Sequence, residues 1–332
     1  MISLESRGVL PEIQAYPISA LNDIINPIYF TQNMNKKVEQ NIATDEMKVQ
    51  SSRNDGVALL HIGLHFLLIA LVAGLLQIST EFWLRVTLTI LLGILLTFLF
   101  APLHESIHKT AFKTSWMNAV TGWICGFFLL LPPAYFRAFH MAHHRHTQIP
   151  GKDPELDTPK PQSLTGYIWV LSGLTYWKEQ IMFFLGYVFG DRQDNFVSKV
   201  KLGGVRREAG IYLVAYVSLF AISMQTRADY LLYLWIIPVF VGQPFLRAYL
   251  LAEHMLCPAV PEMLQNTRTT LTNPILGWLC WNMNYHVEHH AYPAIPFHQL
   301  PETHKILCAE IQHLDQGYMK VHSKIISALK SQ

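Results

Sequence analysis

The chain has 332 residues, of which 51% are hydrophobic and only 14% are Asp, Glu, Lys or Arg, against about 25% charged in an ordinary soluble domain. Its formal net charge of +2 supplies no bulk basic field for nucleic acid. The cysteines Cys125, Cys257, Cys280 and Cys308 form no C-x-x-C pair, which argues against a disulfide framework and against a cysteine-type zinc site.

The amino terminus shows no basic region followed at once by an apolar one, so no secretory signal is expected. Residues 1–56 read as a polar, mixed segment, with an interfacial stretch near Ile24–Phe30. The first long apolar block, Val57–Ser79, is roughly 34 Å long as a helix, enough to cross a bilayer. The second, Phe82–Pro102, follows after a tight turn and carries only Arg85 near its start. Met117–Pro133 is shorter and contains two glycines, so it reads as re-entrant or interfacial. A polar stretch, Arg137–Ser163, precedes the aromatic-rich Leu164–Gly190, which Lys178 and Glu179 interrupt and which reads as interfacial. Ile211–Met224 and Tyr230–Leu251 form a second hairpin. Asn273–Trp281 is too short to span, and the tail from about His298 reads as a soluble amphipathic helix.

Lys and Arg cluster before the first block, after the first hairpin, before the second hairpin and after it, whereas the two hairpin tips offer only Arg85 and Arg227. The positive-inside rule then places both tips outside and both termini in the cytoplasm. The expected fold is all-α and multi-pass, with four transmembrane helices in two hairpins, interfacial helices and a cytoplasmic histidine-rich cap for two metals. The domain reading is a cytoplasmic segment 1–56, a membrane domain 57–305 and a cytoplasmic helix 306–332.

Of the 16 histidines, nine are candidate metal ligands. His104 and His108 stand four apart at the cytoplasmic end of the second span, on one helix face. His140, His143 and His144 form H-x-x-H-H, with His146 just beyond and outside the ligand set. His286, His289 and His290 repeat that pattern, and His254 closes the second hairpin. The predicted topology brings all four groups to one side of the membrane. Nine imidazoles cannot all be protonated there without heavy repulsion, and neutral imidazole is a common transition-metal ligand. Nine ligands are too many for one ion of four to six coordination but suit two.

Zinc fits less well than iron, because structural zinc takes four ligands, usually with sulfur, and catalytic zinc takes three plus water. Carboxylate-bridged di-iron bundles need Glu-x-x-His from two helices, and this chain has one, Glu105 to His108. The same five residues are a literal H-E-x-x-H, the motif of zinc proteases with the Glu as general base. That reading leaves the other clustered histidines unexplained. A metal transporter or storage protein is a further alternative, although it would place its ligands mid-membrane. For His254 alone, a plain interfacial histidine is the rival reading.

In their order and with their neighbours, the three boxes resemble the integral-membrane fatty acid desaturase and hydroxylase superfamily over roughly residues 57–305. The strings Phe139–Thr147 with Pro150–Glu155, Asn266-Thr267-Arg268-Thr269-Thr270, and Trp281–His286 are similar to a bacterial branch that includes rhizobitoxine-type desaturases. A bacterial origin would place the chain in the plasma (inner) membrane. The resemblance implies an iron pair held by His104, His108, His140, His143, His144, His254, His286, His289 and His290, with O₂ as co-substrate. It implies electrons from an external ferredoxin or cytochrome b5, and a lipid or acyl chain as substrate. A double bond marks a desaturase; an added hydroxyl marks a hydroxylase on the same scaffold. No iron–sulfur cysteine set, dinucleotide fingerprint or haem domain is visible in the sequence, so an external donor is expected.

Glu105, Glu253, Glu288 and Asn284 lie beside candidate ligands and are candidates to hold the second ring nitrogen of an imidazole. Asp153 and Glu155 could act likewise or bind a substrate head group. His61 and His65, also four apart, read as polar groups satisfied by neighbouring helices or water.

Overall fold

The computed structural model describes residues 50–331, so the stretch near Ile24–Phe30 lies outside the described residues. Asn54 accepts bonds from the Gly56 and Val57 amides, which caps helix α1, Asp55–Ile78. A three-residue turn leads to α2, Phe82–Thr97. After a short break α3, Phe100–His108, continues in the same direction. Together α2 and α3 form one apolar stretch long enough to span.

Helix α3 stops at Lys109, whose φ of 65° is left-handed. Helices α4, Ser115–Phe128, and α5, Pro133–His146, then turn on each other by 98°. The bend has a local cause. Leu130 takes φ 57°, and Pro132 and Pro133 lack the amides needed to continue a helix. Gly126 lets the chain fold back, since a Cβ there would lie 2.5 Å from the Leu131 carbonyl oxygen.

The aromatic-rich segment forms α6, Leu164–Leu171, and α7, Leu174–Phe184, which runs on into a π-helical turn at Leu185–Phe189. The second hairpin is α8, Lys199–Thr226, and α9, Ile237–His254, the latter preceded by a π-helical turn at Leu232–Ile236. Helix α8 begins twelve residues before the apolar block Ile211–Met224, because the charged run from Lys199 to Glu208 continues the same helix beyond the apolar part. Among the described residues, four helical stretches are thus long and apolar enough to cross a bilayer, Asp55–Ile78, Phe82–His108, Lys199–Thr226 and Leu232–His254, and a fifth if the bent pair α4 and α5 counts as one span. Their outward faces are bare hydrocarbon, with Leu60 65%, Ile78 77% and Val214 66% exposed, a surface suited to lipid rather than to water.

The hairpins lock together where α2 crosses α9. A Cβ on Gly93 would sit 2.2 Å from the Pro238 carbonyl oxygen, and one on Gly242 would sit 2.1 Å from that of Gly93. Small residues allow this backbone-to-backbone approach between membrane helices.

The carboxy-terminal part differs from the single helix expected. Short helices α10, Met263–Asn266, α11, Pro274–Leu279, and α12, His286–Ala291, are followed by α13, Leu300–Leu307, and α14, Tyr318–Lys330. Between the last two lies strand β2, Leu314–Gln316, paired in parallel with β1, Thr269–Leu271. A three-residue strand is too short to show a period in sequence. Its job here is to fix β1, which in turn fixes the third histidine box.

Candidate metal centre

The nine predicted histidines converge and separate into two groups. One holds His104, His108, His140, His144 and His289; the other holds His143, His254, His286 and His290. Within each group the nearest ligand atoms all lie within 4.8 Å of one another. The division follows helix geometry. Residues four apart share a face, whereas consecutive residues point about 100° apart. So His140 with His144 and His286 with His290 each stay together. The remaining member of each H-x-x-H-H box, His143 or His289, faces the other group. The two groups touch where His144 stacks on His290, ring centroids 4.1 Å apart.

Both groups fit a metal ion. The Nε2 atoms of His140 and His144 are 2.9 Å apart, and those of His144 and His289 are 3.1 Å apart. In the second group the spacings are 3.1 Å for His286 and His290 and 3.2 Å for His254 and His286. With metal–imidazole bonds of about 2.1 Å, neighbouring donors on one ion sit roughly 3.0–3.4 Å apart. Several buried nitrogens have no hydrogen-bond partner, among them both of His104 and the Nε2 atoms of His108 and His143. Such orphans are costly unless a ligand satisfies them. Burial, reinforced by the surrounding imidazoles, holds His286, His289 and His290 well below the ordinary imidazole value. They are neutral at pH 7 and keep a lone pair for an ion.

The outer contacts of the two groups differ. His143 donates from Nδ1 to the Asp153 carboxylate at 2.9 Å, with Glu155 at 3.6 Å. His254 Nδ1 lies 3.3 Å from the Asn266 carbonyl oxygen, His290 Nδ1 lies 3.2 Å from the Thr147 hydroxyl, and His286 Nδ1 lies 3.4 Å from Glu253. His143, His254 and His290 of the four-histidine group thus have an oxygen behind them that fixes their orientation, whereas His286 Nδ1 has only the Glu253 carboxylate nearby and no hydrogen bond. In the five-histidine group the Nδ1 atoms of His104, His144 and His289 have none.

The other residues singled out in the sequence brace the boxes from further away. Glu105 is fully buried and accepts from the Phe297 amide. Glu288 accepts from the Thr269 hydroxyl at 2.5 Å and from His304 Nδ1. Asn284 donates to the Thr270 carbonyl oxygen at 3.1 Å, and the Thr270 amide donates to the Asn284 carbonyl oxygen. β1 is therefore clamped onto α12 by Thr269, Thr270, Asn284 and Glu288. Thr147, Asn266, Thr269 and His304 were not singled out in the sequence. Three of them lie inside the matching strings, which were the signal that could have found them. His61 and His65 are held by the backbone oxygens of Trp278 and Leu95, at 2.8 and 2.9 Å, and stay outside both groups.

A cavity of about 400 Å³ reaches both groups through His104, His140, His254 and His286. Part of its wall is aromatic and aliphatic, with Phe98, Phe100, Phe136 and Leu246, and Lys160 and Glu253 line it beside His254 and His286. Such a chamber suits an apolar chain whose reacting carbon must be held beside a metal.

The sequence profile of the fatty acid desaturase family matches residues 81–322. The chain belongs to the fatty acid desaturase family. The matched region runs from just before α2 into α14 and contains all nine histidines. A second likeness is local: 43 residues are 44% identical to the human sphingolipid delta(4)-desaturase/C4-monooxygenase DES2, covering 13% of this chain and 13% of that protein. Family membership and two histidine groups that could hold metal are what the comparisons and the geometry give together.

Proposed function

We propose that the protein is an O₂-dependent membrane desaturase that introduces a double bond into an acyl or lipid-like chain, using two histidine-bound irons and an external electron donor of ferredoxin or cytochrome b5 type. The observation that carries this reading is the division of nine buried histidines into groups of five and four, each with donor spacing suited to one ion. An all-nitrogen donor set without thiolate or bridging carboxylate suits redox iron better than structural zinc. When bound, the iron pair supplies the O₂ chemistry that removes hydrogen from an unactivated methylene.

The protein's own residues supply position. His104, His108, His140, His144 and His289 would hold one ion, and His143, His254, His286 and His290 the other. Asp153, Thr147 and the Asn266 carbonyl keep Nε2 of His143, His290 and His254 aimed inward. The apolar part of the cavity wall presents one stretch of chain to the centre. We place the histidine boxes and the described carboxy terminus on the cytoplasmic side, from the bias of Lys and Arg.

Hydroxylation on the same scaffold is the second reading, favoured by the local likeness to the human desaturase/C4-monooxygenase. A protease reading of His104–His108 is poorly supported, because both histidines belong to a five-histidine group that the protease motif does not account for. Membranes containing the protein, supplied with acyl lipids, O₂ and a reduced ferredoxin system, should yield a product lacking two hydrogens. A product with one added oxygen selects the hydroxylase. The wild type should hold about two irons per chain, and His143→Ala and His289→Ala should each lose activity and about one iron. Retention of a single zinc in both variants would sink the reading.

A further inference from the structure

Three cations line the cavity: Lys160, Arg192 and Arg247. Two are already engaged. Lys160 donates to the Gln148 side chain at 2.6 Å and to the His254 carbonyl oxygen at 3.0 Å, and Arg192 pairs with Asp194 at 3.1 Å. Arg247 differs. Among the described residues its guanidinium makes no hydrogen bond and no ion pair; its Nε is buried without a partner, and it lies over the Tyr176 ring at 4.7 Å. Glu155 and Glu253 line the same cavity, yet neither forms an ion pair with it.

Arg247 also lies within an apolar spanning stretch, Leu232–His254. A charge at that depth is expensive and marks a ligand contact or a partner charge. A purely hydrocarbon substrate would leave it unpaired. Tyr176 fixes the plane of the guanidinium and leaves its fork of donors for an oxyanion. One turn beyond Tyr176, on the same face of α7, Gln180 is buried with its Oε1 unpartnered, and it too lines the cavity. Gln180 can turn its amide N–H to the same group.

We propose that Arg247, assisted by Gln180, binds the anionic end of the substrate inside the cavity. This rests on the desaturase reading above and narrows its substrate class. Arg247 and His254 are seven residues apart on α9, two turns on the same face, or about 10 Å along the axis. At roughly 1.2 Å of extension per bond, the oxidised carbon lies within about eight bonds of the anionic group. The substrate is a compact anionic amphiphile, or a chain oxidised near its charged head.

The test is equilibrium binding to metal-loaded protein in nanodiscs, read by tryptophan fluorescence. The probes are laurate, monododecyl phosphate and the neutral methyl laurate. Wild type should prefer an anion to the ester by about tenfold or more, and the tighter anion identifies a carboxylate or a phosphate head. Arg247→Gln should abolish that preference while leaving methyl laurate binding unchanged. Arg247→Lys, which keeps the charge but loses the fork, should retain part of it. Equal binding of anion and ester by wild type, or an undiminished preference in Arg247→Gln, overturns the proposal. Metal content and thermal midpoint of the same samples show whether each variant folds and whether the metal centre stands, so a failure of the desaturase reading is seen separately.

Discussion

Asp153 offers the sharpest probe of the metal centre, because it touches a candidate ligand without being one. Its buried carboxylate accepts from His143 Nδ1 at 2.9 Å, from the Gln148 amide at 2.7 Å and from the Glu155 amide at 3.0 Å. Asp153→Asn keeps one oxygen and turns the other into a donor. The amide can then serve His143 or Gln148 but not both, and the negative charge behind the imidazole is gone. Outer contacts of this kind are worth about 10- to 100-fold in metal affinity, or roughly 1.4–2.7 kcal/mol. The loss should fall on the four-histidine group alone, since no member of the five-histidine group contacts Asp153. Metal retained per chain, measured across a chelator series, should drop in two steps, with the first shifted to a chelator level about 10- to 100-fold lower than in wild type. Glu155→Gln, 3.6 Å from the same nitrogen but with a partly exposed side chain, should shift it far less. Simultaneous loss of all metal in Asp153→Asn, or a curve matching wild type, would refute the assignment of separate outer contacts.

Gly93→Ala should weaken the crossing of α2 and α9 by about 1–3 kcal/mol or more, because the new methyl meets the Pro238 carbonyl; a lowered thermal midpoint in detergent checks this, and an unchanged one contradicts it. Arg268 is buried, pairs with Asp315 at 3.1 Å and donates to the Ala252 and Met255 carbonyl oxygens at the end of α9, so Arg268→Met should cost about 3–5 kcal/mol. Lys324, half exposed on the same Asp315, should cost at most about 1 kcal/mol when changed to Met, and equal losses would contradict the difference in burial. Burial, with Arg268 adding to it, holds His322 below the ordinary imidazole value, while its ring bonds the Tyr167 hydroxyl and the Ala248 carbonyl. The unfolded chain therefore binds the proton more readily, so this contribution to stability is present above about pH 6.5 and is lost as the pH falls below it. The thermal midpoint of His322→Gln should lie below that of wild type at pH 7.5 and approach it at pH 5.

The spans were legible because a bilayer demands about twenty apolar residues in a row, a signal that survives without any knowledge of neighbours. The crossing at Gly93 and Gly242 was not, because each glycine sits in an apolar run and only the partner backbone gives it meaning. The tail was misread for a similar reason. Leu314-Asp315-Gln316 carries no period, and it is a strand only because β1 lies beside it. Asp315 then serves Arg268 and Lys324 together, a role that spacing along the chain cannot announce.

The nine histidines were legible for the opposite reason. Their spacings of three and four are local, and helix geometry turns them into faces before any tertiary contact forms. What the spacing left open was the partition. In His140–His144 and in His286–His290, the residues four apart stay in one group, and the third histidine crosses to the other. Neither box can complete a group by itself, so α5 and α12 must dock before either group of histidines is assembled. The docking is carried by contacts that no ligand motif contains: Asn266 donates to the Thr147 carbonyl oxygen at 3.2 Å, and Thr269 joins α12 through Glu288 and the Val287 amide. Under the proposed two-metal reading, each ion would need the carboxy-terminal segment docked on the membrane helices. A change at Asn266 or Thr269 should weaken both centres together, whereas one at Asp153 reaches a single centre.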